Sequence, residues 1–333
     1  MSVIRVGQIG IAHSHAAGRI QVFRRNPDVA LVGVHEPLPS VRAERGGHVA
    51  YQGIAWLSAD ELLGDPTVQA IAIETLPGEN IRWARECLLA GKHVILEKAP
   101  GLLLQDLADL FTLAKERELL VQPGFQFRFN PAFQLALRLS RAGVLGRLWR
   151  ISSQISGSLP GYTRDGDLQN YPGGIWFTLG CHVLDQVVAL MGPPVSVRTI
   201  LRRDHRPADG VGFDDNNLAI FEYERGLATI ETWNLEAGEN GPHRRFELYG
   251  ERGTILMSPL EPPKVRLFLT DPYEEFQAGW QDLDVGFRPR YEGDLEHFVA
   301  CIRGEARPLF DATHDLAVHA ALLEASGQTI AKL

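Results

Sequence analysis

Nowhere among the 333 residues is there an apolar run approaching the roughly 20 that a membrane-spanning helix requires. No membrane partner is expected. The three cysteines, Cys87, Cys181 and Cys301, lie far apart and form no CxxC pair, which excludes a disulfide framework and fits buried thiols in a reducing compartment. Basic residues never run beyond pairs such as Arg202-Arg203, and the formal net charge is −8. A phosphate-backbone binder is thereby disfavoured and no nucleic-acid partner is expected. The opening MSVIRVGQIG has no charged n-region, long apolar h-region or cleavage site and reads as a core strand, so a cytoplasmic location is expected.

What is present fits a folded chain of two domains: 45% hydrophobic and 22% charged residues over a length too great for one core of ordinary size. Up to about residue 122, the runs VIRVGQI, VALVGV, QAIAIE, HVILE and LLVQ are apolar on both faces and alternate with helical patterns at 79–90 and 102–118. This predicts a doubly wound α/β domain over 1–122. Asn130 as N-cap, Pro131 at the first helical position and Gly143 past the end punctuate a bridging helix over 131–142. From Gly146 the pattern alternates in RLWRISSQIS, VSVRTILRR, NLAIFEYE, LATIETWNL, RFELYG, TILM and KVRLFLT. An α+β domain over 123–333 with a large, mainly antiparallel open sheet is expected, interrupted by a helix at 175–191 and closed by helices at 292–303 and 312–330. The bridging and C-terminal helices are candidates to pack back on the first domain.

Several residue sets suit chemistry. A strand that ends in Gly10 and turns into a helix offers backbone N–H groups and the positive end of the helix dipole to a pyrophosphate. Aligned from Gly10, however, the loop reads Gly10-Ile11-Ala12-His13-Ser14-His15, with one glycine of the GxGxxG fingerprint certain. Ala12 permits fairly close approach, whereas His15 is expected to crowd the helix-to-sheet contact. His13 and His15 are either polar loop residues or direct contacts to a bound group. No third ligand follows at a recognisable spacing, so no metal site is expected. Glu36 ends the second strand, where a carboxylate accepts from both ribose hydroxyls and repels a 2′-phosphate; this favours NAD over NADP.

Glu97 and Lys98 stand at the carboxyl end of the HVILE strand, where open α/β sheets bind ligands, and a partly desolvated amine there suits proton transfer. In YPGGIWFTLGCHVLDQ, a helix from 175 would align Thr178, His182 and Asp185 at i, i+4 and i+7. The imidazole could then exchange protons at neutral pH with the carboxylate orienting it. Gly180 inside that helix costs about 1 kcal/mol against alanine and hints at close approach by another backbone or a ligand. Trp176 and Tyr162 would pack or line the crevice.

The ordered set AGKHVILEKAP, GFQFRFNPAF, GVLGRL, PGGIWFTLGCHVLD, YGERGTI and FVACIRGEARPLF resembles the glucose-fructose oxidoreductase and inositol dehydrogenase family of NAD(P)-dependent oxidoreductases, over nearly the whole chain. The resemblance implies a Rossmann first domain and hydride transfer between a nicotinamide and a hydroxyl or carbonyl carbon of a sugar, polyol or related molecule, in a crevice between the domains. It places the family's EKP lysine on Lys98 and its helix histidine and later aspartate on His182 and Asp185, with Lys98 and His182 sharing proton transfer. Arg128, Trp176 and Thr178 would line the substrate pocket. Residues 10–13, His15, Glu36, Thr75, Leu76, Asn80, Glu97 and Lys98 would line the cofactor. It also implies a homo-oligomer, dimer or tetramer. The chain departs from the pattern at Ala12, His13 and His15, at Ala99 before Pro100, at Thr178 for the first aspartate of the helix motif, and at Asn80 for the histidine of a TPxxxH-like stretch. Two other classes stay open: a non-redox lyase, isomerase or hydrolase, metal-assisted or not, and a nucleotide- or sugar-binding protein without turnover.

Overall fold

Strands that are apolar on both faces need cover on both, and the first five strands receive it. The computed structural model describes residues 2–158, 168–205, 212–237 and 243–330, so Tyr162 lies outside the described residues. In chain order the first elements are β1 (Ile4–Ile9), α1 (Ala16–Arg25), β2 (Val29–His35), α2 (Pro39–Arg45), α3 (Ala59–Gly64), β3 (Ala70–Ile73), α4 (Pro77–Leu89), β4 (His93–Leu96), α5 (Leu104–Glu116) and β5 (Val121–Pro123). There follow α6 (Pro131–Arg141), β6 (Leu148–Ser158), a π-helical turn (Trp176–Gly180), α7 (Cys181–Met191), β7 (Ser196–Arg202), β8 (Asn216–Tyr223), β9 (Gly226–Glu236) and β10 (Arg245–Gly250). The chain ends through β11 (Gly253–Leu260), β12 (Pro263–Leu269), β13 (Gly279–Leu283), α8 (Glu292–Ile302) and α9 (Ala312–Ala325).

Two units divide these elements: Met1–Gln126 with Pro289–Leu316, and Phe127–Arg288 with Ala317–Leu333. In the first, β1 to β5 pair in parallel in the order β2-β1-β3-β4-β5. Ile4 and Val6 face Ile20 and Phe23 of α1 and Leu295 and Phe298 of α8, while Ile9, Ile71, Ile73, Val94 and Leu96 face Trp83 and Leu88 of α4 and Leu107 and Leu110 of α5. Each such buried side chain contributes roughly 1.5–3 kcal/mol, so the sheet is fixed from both sides. The carboxyl ends of β1 to β4 therefore hold the loops that follow them in place.

The second unit carries an eight-stranded sheet in the order β13-β12-β11-β10-β6-β9-β8-β7, antiparallel except for the β6–β9 pair. Asn130 caps α6 through its side-chain oxygen, which accepts from the Ala132 backbone N–H, and its amide donates to the Leu260 carbonyl (3.1 Å). The cap thus ties helix to sheet.

The 175–191 segment differs from the single helix expected there. Its first turn is π-helical and α-helix begins only at Cys181, so the 3.6-residue period linking Thr178 to His182 does not apply. Gly180 explains the wider turn: a Cβ there would stand 2.4 Å from the Trp176 ring. What approaches Gly180 is an indole of its own turn, and neither another backbone nor a ligand is needed to account for it. Gly180→Ala forces that ring to move in a packed core. A loss of about 1–3 kcal/mol is expected in urea unfolding, and a loss below measurement error would contradict this packing.

Candidate functional site

Gly10 begins the site. Its φ is +93°, and a Cβ would lie 2.6 Å from the Thr75 backbone nitrogen and 2.7 Å from the Glu74 carbonyl carbon. Only glycine lets the loop after β1 cross the end of β3 this closely. Glu36, just past β2, is buried and accepts from the backbone N–H groups of Ile11 (2.6 Å) and Leu38 (2.8 Å). Burial pushes its carboxyl up against the pull of those two bonds. It therefore pins the Gly10 loop from the side. Arg45 of α2 donates to the Ala12 carbonyl, so the loop is held on both flanks.

The structure corrects the expectation for His15. Ala16 and Ile20 fill the helix-to-sheet contact, while the His15 ring turns away from it, with Nδ1 2.9 Å from Glu97 Oε1 and its centroid 5.4 Å from that of Tyr291. His13 Nδ1 lies 3.7 Å from the same Glu97 oxygen and accepts the His15 backbone N–H (3.2 Å). The absence of a third group near these histidines held only along the chain: Glu97 is 82 residues from His15 in sequence and adjoins it in space.

Behind them lies a buried ionic network that the sequence did not disclose. Arg19, wholly buried on α1, bonds Glu74, reaches Asp294 Oδ2 at 2.9 Å and stands 3.6 Å from Glu97 Oε2, with its guanidinium 5.1 Å from the Tyr291 ring centre. One arginine serves three carboxylates. Burial, helped by the Glu97 charge, pushes Glu74 up to about 8 in spite of Arg19, and burial also raises Asp294. Burial works upward on Glu97 too, but the neighbouring His15, His13 and Lys98 outweigh it and hold Glu97 well below the usual carboxylate range. Both histidines are themselves lowered by burial, against the attraction of Glu97.

Lys98 follows directly, almost fully buried at the end of β4. Asn80 clamps the backbone on each side of it, donating to the carbonyls of Glu97 (3.2 Å) and Ala99 (3.4 Å), while its own oxygen accepts from the Thr75 hydroxyl (2.7 Å). Both ends of the Asn80 amide are thus spent internally. Asn80 thereby positions the Lys98 segment. Leu76 stands half-buried at the start of α4. Beside the loop, Ile11, His13, Ser14, Ala17, Arg45 and His48 line a cavity of about 440 Å³.

In the second unit, Arg128 and Asp185 form a buried pair: Nε is 3.1 Å from each carboxylate oxygen, and Nη2 is 2.6 Å from Oδ1. Gln186 adds a bond to Asp185 Oδ2 (2.8 Å). Asp185 thereby acts first as the partner of Arg128. His182 is buried with its ring 5.6 Å from that of Phe127. Trp176 is 0% exposed, with Nε1 3.3 Å from the Leu322 carbonyl oxygen and its ring 6.1 Å from that of Phe221. That removes it from the substrate-contact set. The Thr178 hydroxyl turns back to the Ile175 carbonyl (3.3 Å).

Residues 4–125 match the model of the oxidoreductase family with an NAD-binding Rossmann fold, and residues 133–256 match the GFO/IDH/MocA C-terminal domain. The chain belongs to the Gfo/Idh/MocA oxidoreductase family. A scyllo-inositol 2-dehydrogenase (NAD(+)) of Bacillus subtilis is 28% identical over 333 residues, covering 95% of this chain and 91% of that protein. An uncharacterised oxidoreductase of Synechocystis is 31% identical over 216 residues, which take in 60% of this chain and only 57% of that relative. Among solved structures, an Agrobacterium radiobacter oxidoreductase in complex with NAD+, L-tartaric acid and magnesium superimposes with a TM-score of 0.79 at 13% identity, covering 98% and 97% of the two chains. At that identity the likeness shows the Gfo/Idh/MocA fold alone. Among the described residues no helix is long and apolar enough to cross a membrane.

Proposed function

We propose that the protein is an NAD-dependent dehydrogenase or reductase of a sugar, polyol or related small hydroxy compound. The observation that carries this reading is the Gly10 loop, fixed by Glu36 at 2.6 Å and ending at the N-terminus of α1. Among the described residues the backbone N–H groups of Ala12 and Ser14 donate no hydrogen bond, which leaves them for an anionic ligand at a helix start. The positive φ at Gly10 and its tight crossing of β3 fix the path of the loop that presents these groups. These features fit a dinucleotide pyrophosphate.

Glu36 supports NAD over NADP, since a carboxylate there accepts from ribose hydroxyls and repels a 2′-phosphate. The bound nicotinamide would supply a hydride acceptor or donor. Lys98 takes the hydroxyl proton as the hydride leaves carbon and returns it in the reverse direction, with His182 as the second acid–base candidate. Asp185 and Arg128 hold each other and so fix α7, which carries His182. The same reading includes a cytoplasmic homo-oligomer joined through the large sheet, whose strands expose Trp149, Ile200, Leu235 and Trp280.

Incubation with NAD+ and a panel of inositols, polyols and aldoses deuterated at the reacting carbon tests it. Reduced nicotinamide carrying the deuterium is the expected product. No reduction by any member, together with no oxidation of NADH by the matching ketones, would contradict the reading.

A further inference from the structure

Two imidazoles and a buried carboxylate converge in the first unit, and the hydride chemistry above has no use for their side chains. One ring nitrogen of His13, one of His15 and a carboxylate oxygen of Glu97 all lie within 4.8 Å of one another. We propose that His13, His15 and Glu97 form a binding site for a divalent transition-metal cation of the zinc class.

The distances suit such an ion. Ligands about 2.0–2.1 Å from a tetrahedral zinc stand about 3.4 Å from each other. The separations from Glu97 Oε1 to His15 Nδ1 (2.9 Å) and to His13 Nδ1 (3.7 Å) bracket that value. Small ring rotations close the difference. His13 Nδ1 accepts the His15 backbone N–H (3.2 Å) and so carries no proton; a cation bound there would displace that N–H from its one lone pair. His15 Nδ1 shares a proton with Glu97, and a cation at Nδ1 would shift that proton of the neutral ring to Nε2, with no net release to solvent.

Charge balance agrees with the geometry. Arg19 is already served by Glu74 and Asp294, and its distance to Glu97 Oε2 is 3.6 Å. Glu97 Oε2 is buried and has no hydrogen bond among the described residues. With Oε2 facing Arg19, Oε1 is the oxygen that a second positive partner would take. Two neutral imidazoles and one carboxylate form a donor set that selects zinc, cobalt or nickel over magnesium or calcium, which prefer all-oxygen surroundings. The His13 and His15 side chains are 11% and 13% exposed while Glu97 is 0%, and His13 also lines the 440 Å³ cavity. An ion has a way in, and three protein ligands leave a fourth position for water or a substrate oxygen.

This site goes beyond the dinucleotide reading and is independent of it, because the ion would use side chains of a loop whose backbone serves the pyrophosphate. The test uses full-length protein stripped with a chelator and titrated with Zn2+ in a calorimeter, in buffers of different ionisation enthalpy. One ion per chain is expected, with a binding heat that does not vary with the buffer, since no net proton is released. His13→Gln or His15→Gln should weaken binding by about 100-fold or more, and His48→Gln, on the same cavity, should leave it unchanged. Co2+ added to the wild-type protein should shift the ring signals of two of the 11 histidines, a readout that needs no variant. No stoichiometric binding, binding untouched by either histidine change, or Co2+ shifts at other histidines would each overturn the proposal. NADH affinity of the metal-free protein is measured alongside, so failure of the dinucleotide reading registers separately.

Discussion

Replacing Arg19 with leucine is expected to lower the stability of the protein by about 3–5 kcal/mol, because it leaves buried carboxylates without their cation. The side chain is 0% exposed and faces Glu74, Glu97 and Asp294. Arg19→Lys should recover little of the loss, since an ammonium is one compact charge and cannot span three partners as a planar guanidinium does. Urea unfolding measures the effect; a change under about 1 kcal/mol would mean that the network is solvated rather than buried.

The same network sets a pH dependence. Glu74 has a folded-state value of about 8, above its ordinary 4.5, so the native protein holds a proton there that the unfolded chain loses. That contribution is complete below about pH 4.5 and is lost as pH rises through about 8. The wild-type unfolding midpoint should therefore fall between pH 6 and pH 9, and Glu74→Gln should flatten this slope. An unchanged slope in the variant would assign the titration to another group.

Lys98→Met carries the second large effect: a fall in kcat of about 10²- to 10⁴-fold with the affinity for NADH nearly unchanged. Methionine keeps the length of the stem and removes the amine. Asn80 continues to hold the Glu97 and Ala99 carbonyls on either side, so the backbone stays in place. Lys98→Arg should not rescue turnover, because a guanidinium keeps its proton. Equal loss of NADH binding would instead make Lys98 a cofactor clamp, and a kcat near that of the wild type would remove it from proton transfer.

The parallel strands were legible because burial on both faces writes Ile, Val and Ala into them without alternation, as in Ala70–Ile73. The Asn130 cap and Pro131 were equally plain. Helix α2 was not, since it has no buried residue and hence no apolar stripe. Helix α3 did carry a signal, the Ser58 and Glu61 capping box, in a segment too short for periodicity. The edge strand β13 pairs on one side only and alternates weakly.

At the site, residues next to glycine or at strand ends could be found from local pattern. The partners of Arg19 could not: Glu74 and Asp294 are 55 and 275 positions away. A charged residue amid the core-facing Ala16, Ile20 and Phe23 was the one local hint. The π-helical turn stayed hidden because a ring packed on Gly180, rather than any sequence period, sets it.

The central claim is that the loop from Gly10 to His15, pinned by Glu36, cradles a dinucleotide. Titrating the protein with NADH and following energy transfer from its tryptophans to the reduced nicotinamide tests this most directly. One saturable site per chain is expected, displaced by NAD+ and at least about tenfold weaker for NADPH, a difference of about 1.4 kcal/mol. A signal that never saturates, or that Gly10→Val leaves untouched, would contradict it.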